Sequence, residues 1–389
     1  MKVLSIFGTR PEAIKMAPVV KALENSGRID TAVCVTGQHQ TMLQQVLDIF
    51  EIRPEHNLAL MTPDQTLNGL ASRIVATIEN VFEETKPDQV LVHGDTTTAM
   101  AAALSAFHRR IPVAHVEAGL RTNDLRQPWP EEMNRRVIDV VSTLMFAPTE
   151  SSRSNLMREN LSGTIHVTGN TVIDALRLTD HRIRADRALR ESLDRDFSFL
   201  DSNCRLLLVT GHRRENFGAG FMNICSALAM LALRDDMQIV YPVHLNPNVR
   251  QPVKAALSRF PNVHLTEPLD YLHFVRLMQL AHVILTDSGG VQEEAPYLGK
   301  PVLVMREVTE RPEAVEAGTV QLVGTDIIHI VKAVNRLFDD HSLWMQFSRN
   351  VNPYGDGYAS GRIVSALLGE PCDEFVPVSA SGAEQGTAA

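Results

Sequence analysis

"QVLVHGDTTTAMAAALSAF", residues 89–107, passes from a short apolar run into an alanine-rich stretch within a few residues. The spacing predicts a buried strand over 89–94, a glycine turn and a helix over 96–109, which is the repeating unit of a parallel α/β sheet. The turn carries a carboxylate, Asp95, and three threonines, where phosphate-binding turns offer bare backbone N–H groups. Asp95 has two readings. It can cap the helix, accepting from an orphan N–H and suiting the helix dipole. It can also be a base aimed into a cleft.

The same alternation fills the chain. Strands are expected at 2–7, 31–36, 89–94, 112–117, 144–148 and 164–169, and again at 205–212, 237–244, 262–265, 282–289 and 301–305, with helical segments between them. Two such series predict an α/β protein of two doubly wound parallel-sheet Rossmann-like domains facing a cleft. The expected division is a first domain over 1–175, an inter-domain segment over 176–203 rich in Arg and Asp, and a second domain over 204–368 whose last helix can pack back on the first. Residues 369–389, small, polar and without periodicity, are expected to be a disordered tail.

Composition excludes several classes of function. The 389 residues are 44% hydrophobic and 21% charged, with a net charge of −9, the opposite of a nucleic-acid-binding surface. An anionic substrate therefore needs a local basic site. No apolar run reaches the roughly 18 residues of a membrane span. Cys34, Cys204, Cys225 and Cys372 form no C-x-x-C pair, and the apolar start breaks at once into Gly, Arg, Pro and Glu, unlike a secretory signal. A cytoplasmic protein with reduced thiols is expected.

In open parallel sheets ligands bind beyond the carboxyl ends of the strands, so the loops there hold the candidate chemistry. "SGGVQEE" (288–294) can offer Ser288, Gly289 and Gly290 to a phosphate, or be a tight turn with Ser288 as cap. Arg10 and Arg311 can fork onto phosphate oxygens or be solvated surface charges. Glu294 is a ribose-binding carboxylate or an exposed helix acid. His212, at a strand end beside Arg213 and Arg214, favours anion contact or proton shuttling over a structural role. Glu131 and Glu132 follow Pro130, so helix capping alone accounts for them. Yet Asp95 and Glu117 end two successive strands, and carboxylates converging on one cleft suit general acid–base work. No G-x-x-x-x-G-K-[ST] or H-E-x-x-H motif is present, and the one D-x-D (194–196) lies away from any strand end. Neither a metal nor a nicotinamide cofactor is expected.

Taken together, "FGTRPEAIKMAP" (7–18), "VHGDTTT" (92–98), "HVEAGLRT" (115–122), "PWPEEMNRR" (128–136), "TGHRREN" (210–216), "LTDSGGVQEEAP" (285–296) and "TERPEAVEAGT" (309–319) resemble the non-hydrolysing bacterial UDP-N-acetylglucosamine 2-epimerases. That resemblance runs to about residue 368 and implies a GT-B-like fold, a UDP-sugar substrate and a homodimer. It implies catalytic roles for Asp95, Glu117, Glu131 and His212. It implies substrate contacts from Arg10, Lys15, Arg135, Ser288, Gly289, Gly290, Glu294 and Arg311, with Leu269 and Phe274 on the uracil. It also implies a second UDP-GlcNAc as activator, against Gln38, Arg213 and His244, although Thr41 and Asp64 depart from the pattern of activator-dependent members. Two further readings stay open: a GT-B glycosyltransferase, or an epimerase of a modified UDP-sugar. A non-catalytic UDP-sugar sensor is a third, and it would need no proton-transfer carboxylates.

Overall fold

The computed structural model describes residues 1–377 apart from 38–39, 63–64, 310 and 350. The chain divides into two compact units, the first formed by Met1–Leu178 with Tyr354–Val376 and the second centred on Thr179–Pro353.

The first unit holds β1 (Lys2–Phe7), β2 (Asp30–Val35), β3 (His56–Asn57), β4 (Gln89–His93), β5 (Val113–Val116), β6 (Leu144–Ala147) and β7 (Thr164–Val167). They form one sheet in the order β3-β2-β1-β4-β5-β6-β7, and every pairing is parallel. All five residues of β4 are buried, as expected of a strand covered on both faces. The alanine run that follows becomes the helix Thr97–His108, which packs against both Leu67–Thr85 and Glu131–Val141. Its Ala99, Ala101, Ala102, Ala103 and Ala106 are almost wholly buried, so small side chains let three helices approach closely.

The second unit holds β8 (Arg205–Thr210), β9 (Met237–Pro242), β10 (Val263–Thr266), β11 (Val283–Thr286), β12 (Val302–Val304) and β13 (Val320–Leu322). Their order is β10-β9-β8-β11-β12-β13, again all parallel. Both sheets are doubly wound. The order reverses between β1 and β4 in the first and between β8 and β11 in the second. Those are the topological switch points where such sheets bind ligands.

Two parts of the expected division are corrected. The inter-domain segment expected over 176–203 carries the helices Thr171–Ala185 and Arg187–Asp196 over most of its length, and from Thr179 on it falls in the second unit. The i,i+4 pairs Asp180–Arg184 and Arg187–Glu191 lie along those helices, so its Arg and Asp residues decorate helix faces. The "DRD" of 194–196 is engaged by the helix Tyr271–Leu280, Asp194 by Arg276 and Asp196 by His273. The final helix, Ala359–Leu367, belongs to the first unit, where buried Asp174 accepts from the Ala359 and Ser360 N–H groups (3.1 and 2.7 Å).

The tail is the second correction. Residues 378–389 lie outside the described residues, but the segment before them is docked on the first unit. Phe375 is 5% exposed, its N–H donates to the Val167 carbonyl at 2.8 Å, and Glu374 pairs with Arg153 at 2.6 Å. Removing residues 372–389 is therefore expected to lower the melting temperature by several degrees. The lost Phe burial alone contributes about 2 kcal/mol. An unchanged melting temperature would contradict the docking.

Candidate active site

At the first switch point, Gly8 follows β1 where a side chain cannot fit. A Cβ there would lie 2.2 Å from Thr36 Oγ1 and 2.8 Å from Thr98 Oγ1. Thr9 caps the helix Arg10–Asn25 in a capping box with Glu12. Glu12 Oε2 accepts from the Gly8 and Thr9 N–H groups (3.0 and 2.8 Å), and its Oε1 accepts from Thr96 Oγ1 (2.7 Å). One buried carboxylate thus binds the loop after β1 to the loop after β4. Arg10 opens this helix, and Lys15, on its second turn, reaches the end of β5.

The two readings of Asp95 separate here. The residue that caps Thr97–His108 is Thr96, whose Oγ1 accepts from the Ala99 N–H at 3.0 Å. Asp95 stands one residue earlier, its Oδ2 accepting from Arg135 Nε at 2.9 Å, with Nη2 at ion-pair distance, 2.8 Å. Its carbonyl accepts from Asn134 Nδ2 at 2.8 Å. The carboxylate is partly exposed and held by a guanidinium, with no helix end to serve.

Glu117 follows β5, directly beside β4, in left-handed backbone (φ 68°). That conformation is costly for a non-glycine residue and persists only where its surroundings over-determine it. Here the Glu117 and Ala118 N–H groups both donate to the Phe146 carbonyl at 3.1 Å. The carboxylate, 8% exposed, takes Lys15 Nζ on both oxygens at 2.7 and 2.6 Å. His93 Nε2 lies 2.8 Å from Oε2, outside hydrogen-bond alignment. Burial pushes the Glu117 carboxyl up, but Lys15 and His93 outweigh it and hold it well below the usual carboxylate range. His93 ends β4, a strand-end position in sequence of the same kind as that of His212.

Glu131 and Glu132, alike in sequence, part company. Glu132 is fully buried and braces the preceding loop, accepting from the Thr122 and Asn123 N–H groups at 3.0 and 3.2 Å and from Arg135 at 3.2 Å. Glu131, the first residue of its helix, has a buried Oε2 with no hydrogen-bond partner. A buried acceptor left unpaired costs roughly 1–3 kcal/mol and calls for a ligand or a catalytic explanation.

At the second switch point, buried Asp287 organises the loop after β8. Its Oδ2 accepts from the His212 and Arg213 N–H groups at 2.9 and 2.8 Å, and Tyr241 donates to the Gly211 carbonyl at 2.8 Å. Asp287 was quoted within a motif but not singled out. The His212 ring stacks on His244 (centroids 5.2 Å apart), with Arg213 adjacent. Burial, with His244 and Arg213 nearby, lowers the His212 imidazole below its ordinary value against the opposing pull of Asp287, favouring the neutral ring. Gln38, matched with Arg213 and His244 to an activator pocket, is outside the described residues, as are Asp64 and the Thr41 side chain.

Ser288 occupies the N-cap position of Gly289–Glu294, but its hydroxyl makes no capping bond. The Arg311 guanidinium lies against Gly289, where a Cβ would come within 2.9 Å of its Cζ. Arg311 is not a solvated surface charge: Glu293 Oε1 holds its Nε at 2.6 Å. Nor is Glu294 an exposed helix acid. It is buried and accepts from the Tyr271 hydroxyl at 2.9 Å. Phe274, on the helix Tyr271–Leu280, and Leu269, just before it, are part-buried. The structure thus gathers Lys15, Asp95, Glu117, Glu131 and Arg135 in the first unit, and His212, Ser288–Gly290, Glu294 and Arg311 in the second. Among the described residues no group of His, Cys, Asp and Glu could hold a metal ion, and no helix is long and apolar enough to cross a membrane.

The model of the family described as UDP-N-acetylglucosamine 2-epimerase matches residues 21–368. A UDP-N-acetylglucosamine 2-epimerase of Yersinia pestis is 57% identical over 369 residues, covering 94% of this chain and 98% of its own length. A crystal structure of UDP-GlcNAc 2-epimerase from Neisseria meningitidis, bound to UDP-GlcNAc, superposes with a TM-score of 0.89 at 50% identity, covering 95% of this chain and 100% of its own. The Methanocaldococcus jannaschii enzyme in complex with UDP-GlcNAc and UDP gives 0.78 at 35% identity, covering 95% and 99%. A sucrose-phosphate synthase, 12% identical with a TM-score of 0.64, shares the fold. With two all-parallel α/β units, a GT-B-like architecture and a family match over most of its length, the chain belongs to the UDP-N-acetylglucosamine 2-epimerases, a family of isomerases.

Proposed function

We propose that this protein interconverts UDP-N-acetylglucosamine and UDP-N-acetylmannosamine in the cytoplasm, supplying N-acetylmannosamine-type sugars for cell-surface polysaccharide. The C2–H bond has no adjacent carbonyl to acidify it. The proposed route therefore eliminates UDP across C1–C2 to give 2-acetamidoglucal, then adds UDP back after protonation from the other face. Arg10, Arg311, His212 and the Ser288–Gly290 turn stabilise charge on the departing pyrophosphate. Glu294 takes the ribose hydroxyls, and Leu269 and Phe274 the uracil. Asp95, Glu117 and Glu131 handle the protons, with Arg135 and Lys15 orienting them. Glu117, held ionised, is not the group that delivers a proton at neutral pH. The same reading places a second UDP-GlcNAc, as activator, against Arg213 and His244, and makes the protein a homodimer.

The observation that carries this reading is the Glu131 oxygen, buried without a partner in the unit where Asp95 and Glu117 are each held by a cation. A glycosyltransferase or a UDP-sugar sensor has no need of three such carboxylates. The test is purified protein with UDP-GlcNAc as the sole sugar, followed by NMR. UDP-ManNAc is expected to accumulate to equilibrium without any acceptor. UDP release that requires an added acceptor would favour the transferase instead.

A further inference from the structure

We infer that His115 is a positioning residue for Asp95, acting through the Gly94 carbonyl; the inference rests on the reading of Asp95 as a proton-transfer group. His115 lies on β5 and is 0% exposed. Both ring nitrogens face acceptors. Nδ1 is 2.6 Å from Asp139 Oδ1, and Nε2 is 2.7 Å from the Gly94 carbonyl oxygen. The bond that bears on the site is the one between Nε2 and the Gly94 carbonyl, in which the ring N–H donates.

Asp139 is itself fixed. Its Oδ2 accepts from Arg121 Nη2 at 2.7 Å, and Arg121 is gripped by Glu159 through Nε and Nη2 at 2.7 and 2.9 Å. A chain of hydrogen bonds thus runs from Glu159 through Arg121, Asp139 and His115 to the carbonyl of the residue before Asp95. That carbonyl belongs to the peptide plane that ends at the Asp95 nitrogen, so its orientation sets where the Asp95 side chain points. The Gly94 N–H donates to the Val116 carbonyl at 2.9 Å, which pins the turn from its other end. Among the described residues the hydrogen bonds of His115 go to Asp139 and the Gly94 carbonyl, so its lever on the site is the bond to Gly94.

The alternative is that His115 only holds Asp139 in place. Two variants separate them, because a glutamine amide reaches the place of Nε2 and an asparagine amide that of Nδ1. If His115 positions Asp95, His115→Gln keeps the bond to Gly94 and retains kcat at least about tenfold better than His115→Asn, with KM nearly unchanged in both. Equal losses, or a greater loss in His115→Gln, would overturn the inference. Should neither variant fold, NMR of the unmodified protein labelled with nitrogen-15 histidine and carbon-13 glycine decides: coupling between the His115 Nε2–H and the Gly94 carbonyl carbon supports the inference, and its absence overturns it. Failure of the proton-transfer reading would show separately, as a mild Asp95→Asn.

Discussion

Asp95→Asn is expected to cut the epimerisation rate by about 10²-fold or more while leaving the melting temperature close to that of the unmodified protein. Stability is spared because Thr96 caps the helix and the amide still accepts from Arg135. What changes is charge and proton affinity at one atom. Glu131→Gln is expected to be comparably severe, and for the same reason to leave the fold intact, since its Oε2 bonds to nothing in the protein. A folded Asp95→Asn protein with near-normal turnover would remove Asp95 from the chemistry altogether.

Glu117→Gln is expected to lose rate to a similar degree and stability as well. The pair it breaks is buried, Glu117 being 8% and Lys15 14% exposed, so the substitution strands an ammonium without its counter-ion. Removing one partner of such a pair typically costs about 3–5 kcal/mol. Thermal unfolding of three proteins checks this: Glu117→Gln melts well below the unmodified chain, and the double variant Lys15→Met/Glu117→Gln recovers most of the difference. Neither regains activity. If Glu117→Gln were as stable as the unmodified protein, the pairing drawn here would not hold the site together.

The strands were legible because a sheet covered on both faces needs continuous apolar runs, and "QVLVH" and "RLLLVT" are such runs. Nine of the eleven expected ends overran the observed ones by one to three residues, and the overrun is instructive. Gly94, Glu117, His212 and Gly289 were read as strand but lie just past it. There the apolar run has ended and the backbone turns to present the site. The edge strands β3 and β13, of two and three residues, were too short for any periodicity.

The site itself was legible as a set of strand-end loops, because chain order dictates which loops share a switch point. The pairing within it was not. Lys15 finds Glu117 across 102 residues and Arg135 finds Asp95 across 40, which no local pattern records. Local pattern did not separate Glu131 from Glu132, which only the family resemblance told apart, because their difference is rotational: one turns into the loop it braces and the other keeps a buried oxygen unpaired. Phe375, a lone aromatic in a polar tail, carried no pattern at all, yet one backbone bond and one pocket suffice to dock it.

The central claim is that C2 inverts through loss and return of its proton, with UDP leaving in between. Proton NMR of the purified protein with UDP-GlcNAc in D2O tests this most directly. The account predicts that both UDP-GlcNAc and UDP-ManNAc acquire deuterium at C2 as they interconvert. Epimerisation that kept the original C2 proton throughout would contradict it.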